Sequence, residues 1–81
     1  HFLRDSAGRE IDFVVLKNKK PLFAVECKTG EQTLSRNVSY FATRTDIPQF
    51  YQVHLGEKDY EVAHSKARVL PFTTFTGILG V

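Results

Sequence analysis

The feature that most constrains the fold is a pair of short segments with alternating apolar and polar residues, joined by a polar turn. Residues 10–16 read EIDFVVL and residues 22–28 read LFAVECK. Alternation with period two and enrichment in β-branched and aromatic residues are typical of strands. The residues between them, KNKKP at 17–21, are typical of a turn. The sequence therefore predicts an antiparallel hairpin in a sheet that is covered on both faces.

The apolar residues of the two segments also predict how the strands pair. Residues directly opposite each other in an antiparallel pair point to the same side of the sheet. We expect Leu16 to pair with Leu22, and this register places Asp12 opposite Glu26. The other face then takes the side chains of Ile11, Phe13, Val15, Phe23, Val25 and Cys27. A slip of one residue would destroy this match, so the apolar pattern specifies the register.

The predicted hairpin collects charged residues that suit a metal site. Glu10 falls opposite Lys28, beside the Asp12–Glu26 pair, and we expect Glu10 to form an ion pair with Lys28 rather than to bind metal. Mg²⁺ prefers oxygen ligands and usually takes one or two protein carboxylates. Asp12 and Glu26 are the expected ligands of Mg²⁺ or Mn²⁺, and the backbone carbonyl of Cys27 is a further candidate. A bound cation lowers the pKa of a water and stabilises a phosphoryl oxygen, while Lys28 would position that water or neutralise developing charge.

These residues carry a resemblance to a known group of enzymes. Glu10-Ile11-Asp12 followed by Glu26-Cys27-Lys28 resembles the Asp…Glu-x-Lys signature of the PD-(D/E)XK nuclease superfamily. The whole chain, from HFLRDSAGREIDFVV through PLFAVECKTGE to VLPF, resembles more closely a C-terminal domain of bacterial and archaeal AAA-type ATPases of unknown function. The resemblance implies a restriction endonuclease-like α/β fold. It also implies that Asp12 and Glu26 bind metal and that Lys28 is catalytic.

Two features are absent from the 81 residues, one expected from the nuclease superfamily and one from the ATPases. The sequence has neither the first helix with its acidic residue nor the phosphate-binding loop G-x-x-x-x-G-K-[ST] of an ATPase module. We therefore expect one domain over residues 1–81, a fragment of a larger ATPase-type protein. The single cysteine favours a reducing cytoplasm as its location. We expect its uncovered apolar sheet surface to bind a partner chain or a second copy.

Three functions remain open at this point. The first is metal-dependent hydrolysis of nucleic acid, although a net charge of +2 permits nucleic-acid binding without arguing for it. The second is a non-catalytic interaction or regulatory domain that keeps the nuclease fold. The third is a structural domain whose charged residues form surface ion pairs.

The remaining elements follow from periodicity and turn residues. Residues 33–44 have the spacing of an amphipathic helix, with Thr33 or Ser35 as its N-cap. We expect an edge strand at residues 1–3 and a turn at 4–9. Further along the chain we expect strands at residues 50–55, 60–63 and 67–70 and a short helix at 71–79.

Several polar residues favour a plain structural interpretation. Cys27 is the only cysteine, which excludes an internal disulfide, and we expect its side chain to be a small buried hydrophobe. The three histidines lack metal-ligand spacing, and we expect Gln52 and His54 to face solvent. The same solvated interpretation applies to the basic side chains outside the site: Lys17, Lys19, Lys20, Arg36 and Arg44. No segment is apolar for long enough to span a membrane.

Overall fold

The computed structural model describes residues 3–4, 10–30, 33–62 and 65–80, with side chains from residue 12 onward. These residues form β1 (Leu3–Arg4), β2 (Glu10–Ile11), β3 (Phe13–Lys17), β4 (Lys20–Cys27), α1 (Arg36–Arg44), β5 (Phe50–His54), β6 (Tyr60–Val62), β7 (Ala67–Pro71) and α2 (Phe72–Leu79). β1 and β2 pair as a small antiparallel sheet, and the other strands form a mixed sheet in the order β3-β4-β5-β7-β6. The predicted α/β fold is confirmed.

The β3–β4 hairpin keeps the predicted register along most of its length. From Phe13, which pairs with Val25, to Val15, the strands pair as predicted. The register then shifts by one residue between Val15 and Leu16. Beyond that shift Leu16 pairs with Pro21, so the predicted pairing of Leu16 with Leu22 is wrong. The physical reason is that the turn contains only two residues, so that Lys17 pairs with Lys20. This pairing differs by one residue from the predicted register, and the shift after Val15 accommodates the difference.

That turn is formed by two residues with positive φ. Asn18 has φ 54° and Lys19 has φ 67°, and two such residues match the twist of a hairpin in a type I′ turn. Asn adopts this conformation readily, whereas Lys does so at a cost. The lysine-rich segment KNKKP therefore has a structural function as the end of a hairpin.

The first predicted strand is divided at Asp12. β2 ends at Ile11, which pairs with Leu3 in the small sheet, and β3 begins at Phe13 in the large one. Asp12 lies in the bend between the two sheets. A residue at a bend is not bound to alternate with its neighbours, so its side chain is free to turn toward the end of β4.

α1 connects the parallel strands β4 and β5 and covers one face of the sheet. The helix begins after Ser35, whose Oγ accepts a hydrogen bond from the Asn37 backbone amide at 3.0 Å. Ser35 is thus the cap, as one of the two predicted alternatives had it, and the predicted start at residue 33 was too early. The core on this face contains Ala24, Val38, Phe41, Ala42, Ile47, Phe50 and Ala67.

α2 covers the opposite face. Its Phe75 packs on a core formed by Val25, Val53 and Leu70, as expected for a sheet that is buried on both sides. The predicted strands at 50–55 and 67–70 are confirmed to within one residue, and β6 pairs antiparallel with β7. The predicted elements at 1–3, 4–9 and 60–63 extend into residues that are outside the described ranges. In the described part of the chain, neither helix has the length and apolar character needed to span a membrane.

Candidate functional site

The candidate site is built at the end of β4, where the small sheet meets the large one. The backbone amide of Cys27 donates a hydrogen bond of 2.7 Å to Oδ2 of Asp12. The bend at Asp12 makes this contact possible, because a side chain within the ladder would project from the sheet rather than toward a backbone amide. The hydrogen bond fixes the Asp12 carboxylate next to Glu26, the residue that precedes Cys27.

Glu26 is the buried acid of the site. Its side chain is only 6% exposed, and it lies beside Gln52 of β5, its partner in the parallel ladder. The side chains of Asp12 and Asn37 both act on the pKa of the Glu26 carboxyl. Oε2 of Glu26, however, is buried and has no hydrogen-bond partner among the described residues. An unsatisfied buried oxygen is rare in proteins, and one physical explanation for it is a bound ion.

The surroundings of Glu26 disfavour its ionised form. Burial raises the pKa of Glu26 most strongly, and the ammonium of Lys28 acts in the opposite direction. The Asp12 carboxylate raises this pKa further through its charge and its hydrogen bond, whereas the hydrogen bond from Asn37 lowers it. Two carboxylates that repel each other in a partly buried place are stabilised by any cation that binds between them.

Lys28 extends the site by one residue beyond β4. Its backbone amide donates a hydrogen bond of 2.7 Å to the Val53 carbonyl oxygen, which continues the pairing with β5. Its side chain is half-buried, and its charge acts on Glu26. The structure therefore brings Asp12, Glu26 and Lys28 together. The predicted ion pair between Glu10 and Lys28 lies outside the described residues, because the Glu10 side chain is not described.

The prediction that the Cys27 side chain is a small buried hydrophobe is wrong. Its side chain is exposed, although it alternates with Val25, which is fully buried under α2. Cys27 is the last residue of β4, and Val25 is the last residue of that strand in the core under α2, so the helix leaves Cys27 uncovered. Partial burial raises the pKa of the Cys27 thiol, and the Asp12 and Glu26 carboxylates raise it further. The thiol therefore stays protonated near neutral pH and is a poor nucleophile.

Gln52 is a site residue that the sequence interpretation missed. The prediction that it faces solvent is wrong, because its side chain is fully buried. Its Oε1 accepts a hydrogen bond of 2.7 Å from the Ser35 backbone amide, and its Nε2 donates one of 3.0 Å to the Thr33 carbonyl oxygen. Gln52 thus fixes the start of α1 beside Glu26. The available signal was Phe50, a large apolar residue on the same strand face as Gln52, which favours burial of that face.

His54 is buried as well, so the prediction that it faces solvent is wrong. Its Nδ1 accepts a hydrogen bond of 2.9 Å from the Gly56 backbone amide, and its Nε2 lies 2.7 Å from the Lys58 carbonyl oxygen. The ring closes the loop that follows β5, which confirms a structural function for this histidine. His1 and His64 lie outside the described residues.

The donor set fits a hard divalent cation that keeps part of its hydration shell. The described residues contain no group of three or more His, Cys, Asp and Glu side chains able to hold a metal. Two carboxylates, one of which has an oxygen without a hydrogen-bond partner among the described residues, suit Mg²⁺, which takes one or two protein carboxylates and completes its coordination with water. Backbone ligation by Cys27 stays a prediction.

Comparison with known proteins gives one assignment. No curated protein and no solved structure matches the chain. The model of a family described as a domain of unknown function, DUF4143, matches residues 1–75 of the 81. This match spans both strands of the site and nearly all of the fold. The chain therefore belongs to the DUF4143 family.

Proposed function

We propose that this domain is a metal-dependent nuclease-like domain of a cytoplasmic ATPase-type protein, with a restriction endonuclease-like fold. Its chemistry is the hydrolysis of phosphodiester bonds in nucleic acid. The observation that carries the proposal is the buried Oε2 of Glu26, which has no partner in the described chain. A second carboxylate, that of Asp12, acts on the same group. The mixed sheet with one helix on each face is consistent with this fold class.

Each residue of the site has a separate function in this proposal. Asp12 and Glu26 hold Mg²⁺ or Mn²⁺, and the hydrogen bond from the Cys27 amide keeps the Asp12 carboxylate oriented. The bound cation supplies an activated water and stabilises negative charge on the phosphoryl oxygen. Lys28, at the open end of β4, neutralises the charge that develops on the phosphate.

A second candidate is an interaction or regulatory domain that keeps this fold without the chemistry. It is favoured by large apolar side chains that remain exposed around the β3–β4 hairpin: Phe13 at 37%, Leu16 at 39% and Leu22 at 43%. Exposed apolar surface of this kind marks contact sites with other proteins. The partner would be the ATPase module of the same protein or a second copy of this domain.

Cleavage assays distinguish the two candidates. The intact protein is incubated with single-stranded DNA, duplex DNA and RNA in the presence of Mg²⁺ or Mn²⁺ and compared with the Lys28→Ala variant. Loss of a residue that stabilises charge in the transition state is expected to slow cleavage by about 10²–10³-fold. Glu57→Gln removes an exposed acid from the loop after β5 and serves as the control. Cleavage that survives Lys28→Ala, or a lack of cleavage of all three substrates, would contradict the nuclease proposal.

A further inference from the structure

A shallow, open groove runs along the exposed side of α1, and we call it the α1 groove. It has a volume of about 390 Å³ and is lined by Leu34, Arg36, Ser39, Tyr40 and Arg44. None of these five residues is acidic, and two of them carry a guanidinium group. The groove therefore presents a positive surface that is complementary to an anionic ligand.

The two arginines and the tyrosine form a row on the helix. Arg36, Tyr40 and Arg44 are spaced by four residues, so they lie on the same side of α1. The Arg44 guanidinium carbon lies 4.1 Å from the centre of the Tyr40 ring. Its Nη1 donates hydrogen bonds of 3.4 Å to the Tyr40 carbonyl oxygen and 3.2 Å to Thr43 Oγ1. A guanidinium held in place this way loses less conformational entropy when it binds a ligand.

One end of the groove is adjacent in sequence to a residue that acts on the candidate site. Arg36 directly precedes Asn37, whose side chain lowers the pKa of Glu26. The hydrogen bonds from Gln52 to the start of α1 hold this end of the helix against β5. At 1.5 Å per residue, Arg36 and Arg44 are about 12 Å apart along the helix axis. That distance corresponds to about three or four nucleotides along one strand of a duplex.

We infer that the α1 groove binds the phosphodiester backbone of a nucleic-acid strand, with Arg36 and Arg44 each contacting a phosphate. The inference rests on the proposed function, because the strand is the substrate that continues from Asp12 and Glu26. Arginine suits this task, since its planar fork of donors matches a phosphate group. Contacts of this kind position a strand without reading its sequence.

Binding measurements in EDTA test the inference without any cleavage. Fluorescence anisotropy with labelled single-stranded DNA, single-stranded RNA and duplex DNA gives the binding constant at several salt concentrations. The intact protein is compared with Arg36→Gln, Arg44→Gln and the double variant. Lys58→Gln removes the same charge from the loop after β5 and is the matched control. Thermal melting verifies that each variant is folded.

Each arginine variant is expected to weaken binding of every probe that the protein binds. The slope of log Kobs against log salt should become less steep by about 1 for each arginine removed. Lys58→Gln should leave that slope unchanged. A folded double variant with the slope of the original protein would overturn the inference. So would arginine-dependent binding of polyglutamate by a protein that binds none of the oligonucleotides, because the groove would then recognise an acidic peptide.

The design also separates this inference from the nuclease proposal. Asp12→Asn is expected to abolish cleavage and to keep the arginine-dependent salt slope. Arginine-dependent binding without any cleavage would support the groove while the nuclease proposal fails. Cleavage that is lost in Asp12→Asn but is as fast in the double arginine variant, at salt concentrations where the substrate is not saturating, would overturn the groove alone.

Discussion

At the scale of single residues, the site depends on a buried carboxyl group whose hydrogen bonds are incomplete among the described residues. Glu26 is 6% exposed, and the oxygen Oε2 has no partner in the described chain. A buried polar atom of this kind costs free energy that a cation or a proton can recover. The free energy of unfolding should therefore respond to both.

The first prediction concerns protons. Burial raises the pKa of Glu26 above its usual 4.5, so the native state binds a proton at pH values where the unfolded chain has already lost it. Stability should consequently fall as the pH rises from about 4.5 through the native pKa. Glu26→Gln cannot ionise and should be more stable than the original protein at pH 7 in EDTA.

Denaturant unfolding at a series of pH values checks this prediction. The greater stability of Glu26→Gln should disappear at pH 4, below the unfolded-state pKa. There the side chain at position 26 is mainly neutral in the original protein as well as in the variant. Glu57→Gln provides the comparison for the loss of an acid outside the site. If the difference in unfolding free energy between Glu26→Gln and the original protein were the same at every pH, the prediction that ionisation of Glu26 destabilises the fold would be refuted.

The closeness of Asp12 to Glu26 was predictable in part, because apolar residues specify the hairpin register near Val25, where Phe13 pairs as expected. The bend at Asp12, which turns its side chain to the Cys27 amide, was not predictable from strand alternation. The exposure of Cys27 and the burial of Gln52 were not predictable in the same way. Strand alternation assigns each of them to a face, but the extent of each helix over that face decides their burial. That extent depends on tertiary packing, which the local sequence pattern does not contain.

At the scale of elements, α1 is the helix whose placement matters for the site. Its start is held by the Ser35 cap and by Gln52, which accepts one hydrogen bond from the Ser35 amide and donates another to the Thr33 carbonyl oxygen. The periodicity of the sequence predicted the helix but placed its start too early, because Thr33 and Ser35 are both good caps. The side chain that decides between them belongs to β5, which is distant in sequence.

The second prediction concerns the cap. Ser35→Ala removes the acceptor of the Asn37 amide and should lower the free energy of unfolding by about 1 kcal/mol. Ser39→Ala, on the exposed side of the same helix, should change it by less than about 0.5 kcal/mol. Urea denaturation of the two variants measures the difference. Equal effects of the two substitutions would contradict the assignment of Ser35 as the cap.

The third prediction concerns the bridge between β5 and α1. Gln52→Leu keeps the volume of the side chain but leaves the Ser35 amide and the Thr33 carbonyl without their partner. Each unsatisfied group should cost about 1–3 kcal/mol of unfolding free energy. Gln49→Leu is the matched control, since the Gln49 side chain donates a local bond of 3.1 Å to the Phe50 carbonyl oxygen. A stable Gln52→Leu variant would show that the bridge does not hold α1 in place.

At the scale of the whole molecule, the order of strands and helices followed from turn residues and periodicity. The strand order β3-β4-β5-β7-β6 did not, because it depends on which strands meet across the core. That order makes β3 an edge strand of the five-stranded sheet. Leu16 within β3 and Leu22 on the neighbouring β4 are both exposed. An edge strand with apolar neighbours is prone to pair with another chain.

The fourth prediction is that the protein self-associates through this edge. Sedimentation velocity should show an apparent mass that increases with protein concentration. Leu16→Lys should shift the protein toward the monomer, because a charge on an edge strand opposes pairing. Leu55→Lys changes a side chain that is 73% exposed, after β5, and should have no such effect. A monomer at every concentration would contradict this prediction.

The central claim is that Asp12 and Glu26 hold a divalent cation, and metal-dependent thermal stability tests it most directly. Melting of the intact protein is followed at pH 7 while Mg²⁺ or Mn²⁺ is increased from zero. A cation at 100 times its Kd should add about 2.7 kcal/mol to the free energy of unfolding. We expect the melting temperature to rise in the original protein and in Glu57→Gln, and to stay constant in Asp12→Asn. A constant melting temperature in the original protein, or an equal rise in Asp12→Asn, would contradict the metal site.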